Sequence, residues 1–292
     1  MGAGAGAPAA ERPRAYAGRV NDYRLNRLFH PDSGRCLAIA VDHGMPGEPD
    51  LLEGIEDMEA VVDALVAAEP EALLLTPGQA ELLQRKVGRA KPALVLRLDT
   101  GNVFGREVPE RPSSWMYDDP VGLAVRLDAA CVIVNLQDSP GQPSLRETCV
   151  QNIMRLRGEC DRASMPMMVE PVPMAPNTAG YDVHRDAERL RGLVRQATEL
   201  GADLIKCDPL PDAADFARVV RTARVPVLVR GGGRISDEEV LRITAEVLSA
   251  GAVGLVYGRN VIQHDDPTAM TRALAALVHE HATADAALAL LA

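Results

Sequence analysis

Lysine is scarce in this sequence. Only Lys86, Lys91 and Lys206 occur among the 31 basic residues, so the other 28 (31 minus 3) are arginine. Lys206 lies near the end of an apolar stretch that has the character of a buried strand. Arginine stays protonated in proteins, whereas a desolvated lysine amine can lose its proton and attack a carbonyl carbon. Lys206 is therefore a candidate Schiff-base nucleophile, and the alternative is a structural ion pair with a carboxylate.

Cysteine pairs and metal-binding spacings are also missing. The five cysteines are Cys36, Cys131, Cys149, Cys160 and Cys207. They are odd in number, and none lies in a CxxC pair or at a zinc-like spacing, which is typical of a reduced, cytoplasmic protein. No set of histidine and carboxylate residues has the spacing of a metal site either. We therefore expect no catalytic metal and no cofactor.

The sequence lacks an excess of positive charge and long apolar runs. Its formal net charge is -10, which argues against a nucleic-acid or anionic membrane surface as the partner. No apolar stretch reaches the length needed to cross a membrane. The expected partner is a small molecule, with no nucleic acid and no membrane.

Eight apolar segments alternate with amphipathic ones along the chain, and a helix is expected after nearly every predicted strand. The predicted strands are 36–41, 72–76, 93–97, 131–135, 167–170, the segment around Lys206, 226–230 and 252–257. We expect Pro171 and Pro173 to close the fifth strand, and the passage from about residue 101 to 117 to be an irregular loop with a functional or oligomer-contact role.

This pattern predicts an α/β fold of one domain, a (β/α)8 TIM barrel, rather than an open doubly wound sheet. The first strand is not followed by a GxGxxG motif, and the composition does not change near the middle of the chain. The barrel is expected to span residues 32–283. A flexible N-terminal tail and lead-in would occupy residues 1–31, and a short C-terminal tail residues 284–292.

Polar residues stand where the apolar runs stop, at the carboxyl ends of predicted strands. They are Asp42, Arg97, Asp99, Asn135, Gln137, Glu170, Lys206 and Arg230. TIM barrels place their chemistry at this end of the strands. Schiff-base chemistry needs protons moved, so Asp42 and Glu170 are candidate acid/base groups. The alternative for both is an ion pair with Lys206 or Arg97.

Glycine-rich turns follow the last two predicted strands, where barrels commonly build a phosphate site. They comprise Gly231, Gly232 and Gly233 after the seventh strand, and Gly258 with Arg259 after the eighth. Backbone N–H groups and a guanidinium there would donate to phosphate oxygens, the alternative being ordinary tight turns. His43, which follows Asp42, is expected to be a hydrogen-bonding residue near the site rather than a metal ligand.

Four motifs resemble one known family. They are Val41-Asp42-His43-Gly44, Gly201-Ala202-Asp203 running into Lys206, Val225-Pro226-Val227-Leu228 before the glycines, and Gly251-Ala252-Val253-Gly254 running into Gly258-Arg259-Asn260. Together they resemble the DhnA-type class I aldolases, which include archaeal-type fructose-bisphosphate aldolases and autoinducer-processing aldolase-like enzymes. The resemblance covers most of the chain from about Leu37 to the last helix.

The resemblance implies a metal-independent lyase that forms a Schiff base through Lys206 and uses Asp42 as a catalytic carboxylate. It also implies phosphate binding at the two glycine-rich turns and a homo-oligomer, often a decamer. The expected reaction is reversible cleavage or formation of a C–C bond in a phosphorylated ketose, from a donor of the dihydroxyacetone-phosphate type and an aldehyde.

Two residues depart from the family pattern. Gln137 stands where fructose-bisphosphate aldolases of this type carry a catalytic tyrosine, and an amide cannot transfer protons. Either Glu170, which resembles the glutamate of other class I barrel aldolases, takes over that role, or the proton chemistry differs. Arg230 stands where many relatives have a small residue, so we expect it to add a contact to phosphate or another anion.

These departures leave other functions open. One alternative is a transaldolase-type or thiolase-like synthase or transferase that acts on a phosphorylated, sugar-like substrate. Another is a barrel that binds sugar phosphates without catalysing a reaction.

Overall fold

The computed structural model describes residues 22–104, 109–177, 180–183 and 185–292. Its strands in chain order are β1 (Cys36–Ala40), β2 (Ala72–Leu75), β3 (Ala93–Arg97), β4 (Asp99–Gly101), β5 (Ser114–Met116), β6 (Ala129–Asp138), β7 (Met167–Asn177), β8 (Gly180–Val183), β9 (Leu204–Cys207), β10 (Val227–Arg230) and β11 (Gly254–Tyr257). The parallel strands pair in the order β1, β2, β3, β6, β7, β9, β10 and β11, and β11 pairs back to β1. The predicted eight-stranded TIM barrel is confirmed.

Helices follow the barrel strands and cover the outside of the barrel, except the first, which precedes β1 and buries Leu25 in the apolar interior cluster. They are α1 (Asp22–Leu25), α2 (Met58–Ala67), α3 (Ala80–Gln84), α4 (Pro120–Arg126), α5 (Pro143–Ala163), α6 (Ala187–Glu199), α7 (Ala213–Ala223), α8 (Asp237–Ser249), α9 (Arg259–Ile262), α10 (Pro267–His279) and α11 (Ala284–Leu288). Ser236 caps α8, because its hydroxyl accepts a hydrogen bond from the Glu239 N–H. No helix among the described residues is long and apolar enough to cross a membrane.

Tails are predicted at both ends of the chain, and the structure describes them only in part. Residues 1–21, most of the predicted N-terminal segment, lie outside the described residues. At the other end, α11 lies in the predicted C-terminal tail, contacts α8 and α10, and buries Ala287. The division of the chain into a barrel and two tails stays a prediction.

Two segments differ from the sequence-based expectation. The passage predicted as irregular contains the antiparallel hairpin of β4 and β5. The prediction that the fifth strand ends at Pro171 is wrong, because β7 continues through Pro171 and Pro173 and stays paired with β6. On its other side β7 pairs with β9 only at Met168 and Val169. Beyond those residues the β9 side of β7 has no barrel partner. Proline, which has no backbone N–H to donate, is therefore tolerated at positions 171 and 173.

Side-chain alternation along the barrel strands places polar groups at one end of the interior. The middle of the barrel is filled by apolar residues that include Val95, Ile133, Met168, Leu204, Leu228 and Val256. Two positions further along each of these strands stand Arg97, Asn135, Glu170, Lys206, Arg230 and Gly258. Because side chains two apart share a face of a strand, these residues form the next layer of the interior, at the carboxyl ends of the strands.

Gly254 is required where β11 meets β1. Its φ is +156°, and a Cβ atom there would lie 1.9 Å from the backbone oxygen of Cys36. We expect Gly254→Ala to lower the free energy of unfolding by about 3 kcal/mol or more, because a backbone atom must move to relieve the overlap. Gly192→Ala is the matched control, since nothing lies within 4 Å of its Cβ position. That change in α6 should raise stability by up to about 1 kcal/mol. Urea unfolding followed by circular dichroism measures both, and a tolerated alanine at 254 would contradict the barrel closure described here.

Candidate active site

A pocket opens at the carboxyl ends of the barrel strands. Its cavity volume is about 130 Å³, and it is open to solvent. Asp42, Arg97, Glu170, Lys206 and Arg230 line it. These residues come from strands that are far apart in sequence, and the closed barrel brings them together.

Arg97 connects three carboxylates in the pocket. Its Nε lies 2.9 Å from Asp42 Oδ2, its Nη2 lies 2.6 Å from Glu170 Oε2, and its Nη1 lies 3.4 Å from Asp99 Oδ1. Burial opposes the charge of the guanidinium, but the carboxylates outweigh burial and raise the pKa of Arg97. A permanent cation therefore fixes the positions of three acidic side chains.

Asp99 is the most enclosed of these carboxylates. Its Oδ2 accepts hydrogen bonds from the Asn135 backbone N–H at 2.8 Å and from Asn135 Nδ2 at 3.1 Å. Burial raises the pKa of Asp99, and Arg97 and Asn135 oppose that rise. Asp99 and Asn135 thus form a fixed support behind Arg97.

Lys206 is buried beside Glu170. Its Nζ lies 3.1 Å from Glu170 Oε2. Burial lowers the pKa of Lys206, Glu170 and Asp42 oppose that shift, and Arg97 adds to it. The amine is therefore easier to deprotonate than that of an exposed lysine, which is the condition for nucleophilic attack.

Glu170 and Asp42 stay ionised in this surrounding. Burial disfavours the carboxylate of Glu170, but Lys206, Arg97 and Arg230 outweigh burial and hold its pKa well below the usual range. Burial also disfavours the Asp42 carboxylate, and Arg97 and Lys206 again outweigh it and lower the pKa. Both groups can therefore accept a proton from a substrate or from the amine.

Two arginines at the glycine-rich side of the pocket have unused hydrogen-bond donors. Arg259 Nε and Arg230 Nη1 are buried and have no hydrogen-bond partner among the described residues. Gly231, Gly232 and Gly258 line the same part of the pocket. The arrangement is suited to an anion.

His43 packs against Gly258. A Cβ atom at Gly258 would lie 2.2 Å from His43 Cε1, so a larger residue there would displace the ring. Burial lowers the pKa of His43 to about 4, and the cations Lys206 and Arg259 act in the same direction against Asp42. The imidazole is therefore neutral at pH 7 and borders the pocket as a polar, uncharged group.

Nearly all of the sequence-predicted site residues meet in this pocket. Those that line it are Asp42, His43, Arg97, Glu170, Lys206, Arg230, Gly231, Gly232, Gly258 and Arg259. Gly233 lies at its edge, where a Cβ atom would be 3.8 Å from Arg259 Nη1. Gln137 is different: it is fully buried, does not line the pocket, and packs beside Gly101 of β4.

Sequence reasoning missed two parts of the site. Met45, Leu51 and Phe104 form an apolar part of the pocket wall, and no motif marks these positions, which follow β1 and β4. Asp208 was also missed, although it stands two residues after Lys206 and so falls on the same face of the chain. Its Oδ2 lies 3.5 Å from Arg230 Nη1.

No cluster of three or more His, Cys, Asp or Glu side chains suited to a metal ion occurs within the described ranges. All five cysteines are buried and unpaired. The expectation of a reaction without metal or cofactor stays a prediction.

The lowered pKa of His43 predicts a specific pH dependence of stability. Between pH 6.5 and pH 4 the unfolded chain binds a proton at His43 that the folded chain does not bind. His43 therefore causes no loss of stability above pH 6.5, and it lowers the free energy of unfolding progressively as the pH falls from 6.5 to about 4. We expect His43→Gln to remove roughly 2 kcal/mol of the stability loss across this window. Urea unfolding at several pH values measures it, and an identical pH slope in both proteins would contradict a buried, neutral His43.

Comparisons with known proteins identify the family of the chain. Residues 36–264 match the model of the DeoC/LacD family aldolases. The 2-amino-3,7-dideoxy-D-threo-hept-6-ulosonate synthase of Halobacterium salinarum is 32% identical over 266 residues, which cover 91% of this chain and 94% of the relative. The 3-hydroxy-5-phosphonooxypentane-2,4-dione thiolase of Escherichia coli is 30% identical over 266 residues, covering 90% of this chain and 84% of the relative.

A solved structure is similar as well. An archaeal fructose-1,6-bisphosphate aldolase, whose catalytic lysine is covalently bound to the carbinolamine intermediate of the substrate, superposes with a TM-score of 0.73. It is 26% identical, and the match covers 88% of this chain and 98% of that chain. The resemblance to DhnA-type class I aldolases is thus confirmed, and the chain belongs to the DeoC/LacD family of aldolases.

Proposed function

We propose that this protein is a class I aldolase that forms a Schiff base through Lys206 with a phosphorylated ketone donor and joins it reversibly to an aldehyde. The observation that carries the proposal is the buried Lys206 amine, which lies in the pocket 3.1 Å from Glu170 Oε2. Burial lowers the pKa of this amine, as nucleophilic attack requires. The similarity to an archaeal aldolase trapped with its lysine bound to a carbinolamine supports the same chemistry.

We assign the proton transfers of Schiff-base formation to Glu170. The Lys206 amine adds to the ketone carbon, and a proton passes from nitrogen to the former carbonyl oxygen to give a carbinolamine. A second proton lets that oxygen leave as water, and the product is an iminium ion. Glu170 Oε2 is within hydrogen-bond distance of the amine, so it can accept one proton and return it. Its negative charge also stabilises the iminium.

Asp42 is the second carboxylate available to the substrate. Oδ2 accepts a hydrogen bond from Arg97, and the other oxygen makes none among the described side chains. In the cleavage direction a carboxylate takes the proton of the C4 hydroxyl while the C3–C4 bond breaks and the electrons pass into the iminium. We assign this step to Asp42, because Glu170 is committed to Lys206 and Arg97. The enamine then gains a proton at C3, and water releases Lys206.

The phosphate of the donor would bind at the glycine-rich side of the pocket. Arg259 and Arg230 have buried N–H groups without hydrogen-bond partners in the described chain, and Gly231, Gly232 and Gly258 lie beside them. A phosphate dianion accepts several charge-assisted hydrogen bonds, which makes it a suitable ligand for two arginines. Dihydroxyacetone phosphate is the simplest donor of this kind.

A synthase or transferase reaction through the same lysine is the second candidate. The observation that favours it is that two relatives at 30% identity or more bear the names of a synthase and a thiolase. Both reactions would use the Schiff base and differ in the partner of the new bond. Product analysis by mass spectrometry, with dihydroxyacetone phosphate and a panel of aldehydes, separates them, since only an aldolase yields a simple adduct of donor and aldehyde.

Covalent trapping tests the role of Lys206. We expect dihydroxyacetone phosphate and borohydride to give a stable adduct that peptide mass spectrometry locates at Lys206. Lys206→Arg keeps a positive charge beside Glu170 but cannot form an imine, so it should give no adduct and no turnover. Lys86→Arg is the matched control, since Lys86 pairs with Asp63 away from the pocket. An adduct at another residue would mean that Lys206 is not the nucleophile. The absence of any adduct would mean that the Schiff-base mechanism is wrong and would favour a barrel that only binds sugar phosphates.

Substitution of Glu170 tests proton transfer. Glu170→Gln keeps the size of the side chain but removes its ability to accept a proton. We expect the rate of adduct formation in single-turnover trapping to fall about 100-fold or more. Glu246→Gln makes the same chemical change in an exposed ion pair with Arg242 and should leave the rate unchanged. A Glu170→Gln rate within a factor of three of the wild-type rate would rule out this role.

A further inference from the structure

Arg230 lies between two carboxylates without a close contact to either. Its Nη1 is 3.6 Å from Glu170 Oε1 and 3.5 Å from Asp208 Oδ2. Charge-assisted N–H···O bonds are usually 2.7–2.9 Å long. Neither Arg230 Nη1 nor Asp208 Oδ2 has a hydrogen-bond partner among the described residues. The guanidinium is thus attracted to both carboxylates but leaves its donor unused.

The second observation is the position of Arg230 next to another arginine. Arg230 directly precedes Gly231 and Gly232, and all three line the pocket with Arg259. Burial lowers the pKa of Arg259, and the charge of Arg230 lowers it further, so the two cations lie close enough to repel each other. A dianion bound between them would relieve this repulsion and accept hydrogen bonds from both.

We propose that Arg230 is a positioning residue that exchanges Glu170 for the phosphate of the donor. Before the donor binds, Arg230 attracts the Glu170 carboxylate. Once the phosphate is bound, Arg230 and Arg259 hold it together, and Glu170 interacts only with Lys206 and Arg97. The inference rests on the proposed Schiff-base function and adds the coupling between the phosphate subsite and the proton-transfer group.

The exchange has a chemical consequence. When Arg230 turns to the phosphate, Glu170 loses one of the three cations that stabilise its charged form. The negative charge of the phosphate acts in the same direction, so the affinity of Glu170 for a proton increases. Glu170 then transfers protons more effectively at neutral pH. The phosphate thereby accelerates the reaction at Lys206 in addition to anchoring the donor.

A purely structural Arg230 would behave differently. If it only compensated the charges of Glu170 and Asp208, its removal would slow phosphorylated and unphosphorylated donors alike. If Arg230 exchanges Glu170 for the phosphate, it is needed for the higher rate that the phosphate group gives to a donor. A donor without phosphate, alone or together with a free oxyanion, therefore separates the two roles.

The experiment measures hydrogen exchange at C3 of the donor in D₂O by NMR, which reports the Schiff base and enamine without an acceptor aldehyde. Wild-type protein is compared with Arg230→Gln and Arg230→Lys, using dihydroxyacetone phosphate, dihydroxyacetone, and dihydroxyacetone with added phosphite. Arg221→Gln, on the exposed face of α7, is the matched control. Thermal unfolding checks that each variant is folded.

We expect phosphite to accelerate dihydroxyacetone exchange in the wild-type protein. Arg230→Gln should lower the ratio of the phosphorylated to the unphosphorylated rate by about 10- to 100-fold, because a charged hydrogen bond is lost, and should abolish the phosphite effect. Arg230→Lys keeps the positive charge but lacks the paired N–H donors of the guanidinium. Its ratio should therefore lie between those of the wild-type protein and Arg230→Gln. Arg221→Gln should keep the wild-type ratio.

Other results overturn the inference. An unchanged ratio in Arg230→Gln, or phosphite activation that persists there, would mean that Arg230 has only a structural role. A wild-type protein that phosphite does not activate would reject the coupling even if Arg230→Gln did not fold. If the wild-type protein shows neither exchange nor a trapped adduct at Lys206, the proposed function itself fails.

Discussion

Charge compensation inside a closed barrel is the constraint on which this site depends. Eight charged side chains meet in and around one pocket. The cations are Arg97, Lys206, Arg230 and Arg259, and the carboxylates are Asp42, Asp99, Glu170 and Asp208. Burying a single charge is costly, and removing one partner of a buried pair typically costs about 3–5 kcal/mol. Arg97 carries most of the compensation, because its guanidinium contacts three of the carboxylates at once.

The same compensation sets the reactivity of Lys206. With fewer carboxylates nearby, burial would act alone and lower the pKa of the amine further; with fewer arginines, the carboxylates would hold the proton on it. The observed balance lowers the pKa while keeping Glu170 ionised at 3.1 Å. An amine that can lose its proton and a carboxylate that can take it are the two requirements for forming an iminium from a ketone.

Much of the fold and of the site could be predicted from the sequence, since alternating side chains encode both. The apolar runs indicated the eight strands, and the polar residues at the ends of six of these runs indicated the rim of the pocket. The failures have physical reasons. β7 continues through Pro171 because one side of it has no barrel partner there, which no local pattern reveals. Gln137 shares a face with Asn135, yet β4 packs beside it and it does not reach the pocket. Asp208 joins the charged cluster only because the fold brings its Oδ2 to 3.5 Å from Arg230 Nη1.

The sequence by itself determined which chemical groups are available and on which face of each strand they lie. A lysine kept where nearly every other basic residue is arginine, carboxylates at strand ends and glycines after the last two strands follow from residue identity and a period of two. The tertiary structure alone decided which groups touch. Arg97 meets residues 55 and 73 positions away, and Arg230 lies between Glu170 and Asp208. Distances and burial set electrostatic energies, and only the closed barrel defines them, so the charge state of each site residue is a property of the fold.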